Sequence, residues 1–177
     1  MDHPSIEIKV KDTGLMRAEL YPEYAPATVA NFLSLIERKF FDGLIFHRVI
    51  EGFMIQGGGY DASFRQKDAD TVKGEFASNG FPQNTLRHTR GVLSMARTQV
   101  PDSASSQFFV MHEDAPHLDG MYAAFGKLTD GYDVLDMIAG CPTGRYMWFS
   151  DVPKKPVVIE SIRLAADASA GADAEKK

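Results

Sequence analysis

Three polar side chains stand inside apolar runs of this chain. Arg48 lies in FHRVI, Gln56 in FMIQG and Gln107 in SQFFV. A guanidinium is planar, permanently charged and rich in donors. A carboxamide both donates and accepts, and it does not ionise. A site built from these groups has no nucleophile, no general base and no metal ligand. Its chemistry is restricted to electrostatics and shape: hydrogen-bond donors aimed at an amide, beside apolar surface.

Spacing decides whether these groups meet. Side chains alternate faces along a strand, so residues two apart share a face. On that rule Arg48 shares a face with Phe46 and Ile50, with His47 and Val49 opposite. Met54 joins Gln56, opposite Phe53 and Ile55 if the strand is regular. Gln107 joins Phe109, opposite Phe108 and Val110. Two readings stay open here. In one, Arg48 pairs with a carboxylate at a barrel rim and the glutamines are ordinary strand polars. In the other, the shared face is a peptide groove edged by donors. One reaction suits such a groove. Rotation about an X-Pro bond has a barrier of about 20 kcal/mol because amide resonance is lost, yet no covalent bond is made or broken. A donor aimed at the prolyl nitrogen and a pocket for the ring would bind the twisted amide better than either planar isomer.

The elements that must position these residues are mostly strands. IEIKV and MRAEL alternate apolar and polar residues around a KDTG turn, which predicts a hairpin burying Ile6, Ile8, Val10, Met16, Ala18 and Leu20. From Pro26 the period changes. Val29, Phe32, Leu33, Ile36 and Phe40 form a helical stripe that Asp42-Gly43 ends. Further strands are expected over 44–50, 53–57, 91–97, 106–112, 122–128 and 157–164. A second short helix carries Val134, Leu135 and Ile138 and stops at Gly140. Residues 60–90 read as long polar loops, and 165–177 as a disordered polar tail after a domain of 1–164. Eight strands and two helices predict a mainly β fold. The preferred form is a closed eight-stranded antiparallel barrel capped by two α-helices, with a sandwich as the alternative.

Composition narrows the classes. A length of 177 residues suits one domain, and a net charge of −5 argues against a nucleic-acid groove. The lone Cys141 forms no intrachain disulfide. The start, MDHPSIEIKV, shows no basic region followed by an apolar core, and no apolar run nears the roughly 18 residues of a membrane helix. The expectation is a cytoplasmic, monomeric protein without membrane contact. His112, Glu113 and His117 lack zinc-helix spacing, and Pro116 interrupts them. Gly57-Gly58-Gly59 fits no phosphate loop and reads as a bend. Ser103, Ser105 and Ser106 lie in no nucleophile elbow. His47 reads as a core histidine with a hydrogen-bond partner.

The segments FHRVIEGFMIQGG, GVLSMART, SSQFFV and HLDGMYAAFGKL, in this order between Ile6 and Leu164, resemble the signature segments of the cyclophilins, the peptidyl-prolyl cis-trans isomerases. The resemblance implies the capped barrel. It also implies a function in X-Pro isomerisation of peptides and folding proteins, with no cofactor or metal. It makes Arg48 the catalytic guanidinium and Phe53, Met54, Phe109 and Leu118 the proline pocket. Gln56 would orient Arg48, with Gln107 alongside, while Ala96, Arg97 and Thr98 would bind the segment before proline, Arg97 chiefly through its backbone. His117 stands where many eukaryotic members have tryptophan, which weakens the expectation of cyclosporin binding. Tyr122 stands where many place a pocket histidine, and Arg97 where asparagine is common, which adds charge near the groove. The segment 61–76 departs from the family's Gly-rich loop. These features look most like bacterial members. A proline-peptide binding or chaperone-like module with weak catalysis is the alternative.

Overall fold

The structure, a computed structural model, describes residues 2–165. Strands β1 (Ser5–Val10) and β2 (Gly14–Leu20) form the expected hairpin, with Ile6 opposite Ala18 and Ile8 opposite Met16. All six predicted core positions of this hairpin are buried. Helix α1 (Pro26–Glu37) follows, with Pro26 in its first turn. Its buried face is Thr28, Val29, Phe32, Leu35 and Ile36. Leu35 therefore takes the core place expected for Leu33, which is only half-buried. Leu33 and Leu35 flank the line through Phe32 and Ile36 on opposite sides, and buried Thr28 lies on the Leu35 side.

No side chain of the neighbouring residues caps α1. A distant carboxylate does so. Buried Glu75 accepts from Ala27 N at 3.1 Å, Thr28 N at 2.7 Å and Thr28 Oγ1 at 2.7 Å. Three donors and the positive end of the helix dipole satisfy this buried anion. The 61–76 segment is thereby tied to the barrel at its far end.

The remaining strands are β3 (Arg48–Ile50), β4 (Met54–Gly57), β5 (Val92–Met95), β6 (Phe108–Met111), β7 (Ala124–Asp130), β8 (Thr143–Tyr146), β9 (Phe149–Pro153) and β10 (Ile159–Leu164). Helix α2 (Tyr132–Ala139) buries Val134, Leu135 and Ile138 and ends at Gly140, as the spacing predicts. One antiparallel sheet runs β10-β1-β2-β7-β5-β6-β4-β3. It curls until its two edges meet. The seam is a short bridge rather than a ladder: Gly43 N and Phe46 N donate to Ile159 O and Val157 O, and Ile159 N donates to Leu44 O. The expected closure is thus made by backbone just ahead of β3, and the barrel is less completely laddered than foreseen.

The β8–β9 hairpin is a separate two-stranded sheet and was not visible in the sequence. Its tip places Met147 at φ 56°, and its chain TGRYMWFSDVP has no clean alternation. Gly57 marks a different constraint. A Cβ there would lie 2.5 Å from Ile45 O and 2.8 Å from Phe46 Cα, so only glycine lets β4 pass the bent chain at 45–46. At the other end of the domain, Ala165 is still buried and donates to Ser5 O at 2.9 Å. The rest of the expected tail, 166–177, lies outside the described residues.

Candidate active site

The sheet has two apolar faces. Inside, Val49, Ile55, Phe108 and Val110 join the main core under α1 and α2. Outside, Met54, Phe109, Met111, Val92, Leu118 and Ala124 form a second, smaller cluster. Parity explains the split along β4 and β6. It fails at two places. Phe46 does not share the Arg48 face; it is fully buried in the main core, because the regular strand begins only at Arg48. Phe53 does not sit opposite Met54 and Gln56, because it occupies the turn before β4 and folds over the outer cluster.

Strand register brings the polar groups together. Arg48 pairs with Gln56 across β3 and β4, and Gln56 pairs with Phe109 across β4 and β6. Arg48 Nη1 donates to Gln56 Oε1 at 3.3 Å, and Gln56 Nε2 donates to Gln107 Oε1 at 3.0 Å. This amide relay fixes the guanidinium without neutralising it. Arg48 takes part in none of the ion pairs among the described residues, so the rim ion-pair reading is set aside.

Arg48, Phe53, Met54, Gln56, Ala96, Arg97, Phe109, Leu118 and Tyr122 surround one cavity of about 150 Å³. That is below the roughly 300–1,000 Å³ of a typical cofactor pocket and suits one small ring. A neighbouring shelf is lined by Thr98 and Gln107 with Gln56, Ala96 and Arg97, and it adds Gln66, Ser103 and Ser105. His117 borders neither cavity. Its ring stacks on Phe53, with centroids 6.0 Å apart, and backs that wall.

Arg97 is not a free charge beside the groove. Its guanidinium lies between the rings of Phe76 and Tyr122, 4.7 and 4.6 Å from their centroids. Its Nη atoms donate to Thr98 O at 3.0 Å and Met121 O at 2.6 Å. The side chain binds two walls of the site to each other.

Beneath Phe109 runs a buried polar chain that the sequence did not reveal. His88 stacks on the Phe109 ring. Its Nδ1 lies 3.1 Å from Asp119 Oδ1 and its Nε2 lies 2.8 Å from Ser94 Oγ. Asp119 also accepts from His88 N. Burial pushes the His88 pKa down, with Asp119 opposing that shift. The partners are separated by 31 and 6 residues, so no local pattern signals them. Ser94 is fully buried, so this chain positions the pocket wall and offers no nucleophile.

His47, on the far side of Arg48, differs from its expected state. It is buried against Tyr60 and Phe149, but its Nδ1 has no hydrogen-bond partner among the described residues. Burial, and then the charge of Arg48, push its pKa down to about 4. Its ring is therefore neutral near pH 7. Among the described residues, no group of three or more His, Cys, Asp or Glu side chains is placed to hold a metal. His112 is instead engaged with Gly52 N and Asp136.

A curled antiparallel sheet with two helices and a donor-edged apolar cavity on its outer face defines the class of protein. The family model for cyclophilin type peptidyl-prolyl cis-trans isomerase/CLD matches residues 5–164, and the chain belongs to this family. A peptidyl-prolyl cis-trans isomerase of Acinetobacter baylyi is 46% identical over 165 residues, covering 90% of this chain and 84% of its own. Peptidyl-prolyl cis-trans isomerase B of Escherichia coli is 44% identical over 154 residues, covering 82% and 90%. A Cryptosporidium parvum cyclophilin type isomerase, crystallised in the presence of the dipeptide Ala-Pro, superposes with a TM-score of 0.75. It is 30% identical, and the match covers 92% of this chain and 99% of that one. The activity is accordingly peptidyl-prolyl cis-trans isomerisation. No helix among the described residues is long and apolar enough to cross a membrane.

Proposed function

We propose that Arg48 is the catalytic group and that the apolar cavity beside it holds the substrate proline. The observation that carries this is a guanidinium with no carboxylate partner among the described residues, oriented by Gln56 beside a small apolar cavity. As an X-Pro amide twists, its nitrogen loses conjugation and gains a lone pair. A donor held beside that nitrogen stabilises the twisted state more than either planar isomer. Phe53, Met54, Phe109, Leu118 and Tyr122 hold the ring, so the rest of the peptide turns about a fixed proline. Gln107, with the backbone of Ala96 to Thr98, receives the residues before proline. Nothing here requires a proton shuttle, because no covalent bond changes.

The substrates proposed are proline-containing peptides and folding proteins, and the activity is assigned to 1–164. That the Cryptosporidium isomerase was crystallised in the presence of Ala-Pro supports a proline-bearing ligand for this chain. The cytoplasm is the compartment proposed, in keeping with a single cysteine. Magnetisation-exchange NMR on a short Xaa-Pro peptide tests the reading. Catalysed exchange supports it. Saturable binding with uncatalysed exchange would make the chain a proline-peptide holding module.

A further inference from the structure

We propose that the β8–β9 hairpin and the loop packed beside it form a second polypeptide-binding surface, which takes an acidic segment carrying an aromatic or aliphatic side chain. Three consecutive large residues are exposed at the hairpin tip: Tyr146 at 46%, Met147 at 59% and Trp148 at 74%. Single exposed apolar residues are ordinary, but a contiguous group marks an interaction surface. The group is also built up from beneath. Trp148 stacks on Phe149 at 5.7 Å, Phe149 packs on Phe64 at 5.2 Å, and Phe64 packs on Tyr146 at 4.6 Å.

The backbone holds this arrangement against its own preference. Phe64, Met147 and Asp151 all have φ near +60°, a region costly for residues with a Cβ. Between the loop and the hairpin lies a groove of about 500 Å³, larger than the proline cavity and sharing none of its lining residues. Its walls include Phe64, Tyr146, Pro153, Arg145 and Lys154.

Charge identifies the occupant. Arg145 and Lys154 line the groove, and both are exposed. Their side chains make no hydrogen bond or ion pair among the described residues. The acids flanking Lys154 in sequence are Asp151 on the hairpin and Glu160, which pairs with Lys9; Asp61, beside Ala62 in the facing loop, pairs with Arg65. The groove is locally cationic and aromatic, and so is complementary to an acidic partner even on a chain of net charge −5. Its concavity suits a side chain entering from an extended segment better than the plane of a bilayer. This inference does not depend on the assignment of Arg48.

Trp148 is the only tryptophan, so its emission reports on this surface alone. The experiment titrates the full chain with a synthetic peptide of Asp and Glu around a central Phe, lacking proline. The expected result is a saturable change in Trp148 emission. Added salt should weaken it, Arg145→Glu with Lys154→Glu should abolish it, and Arg48→Ala should leave it unchanged. No saturable change, or the same change in the double variant, overturns the proposal. A response to phosphatidylserine vesicles with none to the peptide also overturns it, and assigns the patch to a membrane surface.

Discussion

His47 supplies a prediction whose size follows from the structure. Its folded pKa is about 4, against 6.5 for the free side chain, because burial disfavours the imidazolium and Arg48 repels it. As pH falls through 6.5 the unfolded chain takes up a proton that the folded chain refuses. Stability carried by neutral His47 is therefore complete above about pH 6.5 and lost progressively toward pH 4. Between pH 7 and pH 5 the linkage relation gives a loss of about 2 kcal/mol from this residue. The comparison is with His47→Phe, which keeps an aromatic ring against Tyr60 and Phe149 and removes the titration. His88 is shifted in the same direction but is present in both proteins, so the difference isolates His47. Urea unfolding at pH 7 and pH 5 should show the native chain losing about 2 kcal/mol more than the variant. Equal losses, or an NMR titration of His47 with its midpoint near 6.5, would refute the reasoning.

Three further perturbations have defined outcomes. Gln56→Leu removes the acceptor that orients Arg48 and should lower kcat/KM by roughly 10- to 100-fold, the equivalent of one hydrogen bond to a charged group, with little change in unfolding midpoint. Glu75→Gln removes the buried anion at the start of α1 and should destabilise the fold by about 1–3 kcal/mol, read by thermal or urea unfolding. Gly57→Ala forces a Cβ against Ile45 O and Phe46 Cα; the expected cost is about 1–3 kcal/mol or more, and a neutral result would show that the chain at 45–46 yields freely.

Much of this fold is written in local periodicity. The β1–β2 hairpin and α2 follow their apolar spacing residue by residue, since each buries one face against a single core. The errors arise where the chain bends. Phe46 and Phe53 lie just outside regular strand, so counting by twos assigned each to the wrong face. The β8–β9 hairpin escaped because its apolar residues point outward at a strained tip. In the site, Arg48, Gln56 and Gln107 were legible because polar groups inside apolar runs stand out. His88, Ser94 and Asp119 were not, because their hydrogen bonds join distant segments that only the folded sheet brings together. The side chain of Arg97 looked like groove charge. It turned out to be a tie between Thr98 and Met121, set by two aromatic rings that no sequence spacing pairs.

The central claim is that isomerisation depends on the Arg48 guanidinium and not merely on the pocket. The direct measurement is catalysed cis–trans exchange of a short Xaa-Pro peptide by NMR for the native chain and folded Arg48→Ala, with peptide affinity measured on both. The account predicts that the variant loses roughly 100- to 1,000-fold in catalysed rate, as for removal of one preorganised donor, while binding falls far less. A folded variant that binds the peptide and keeps its full rate would contradict it.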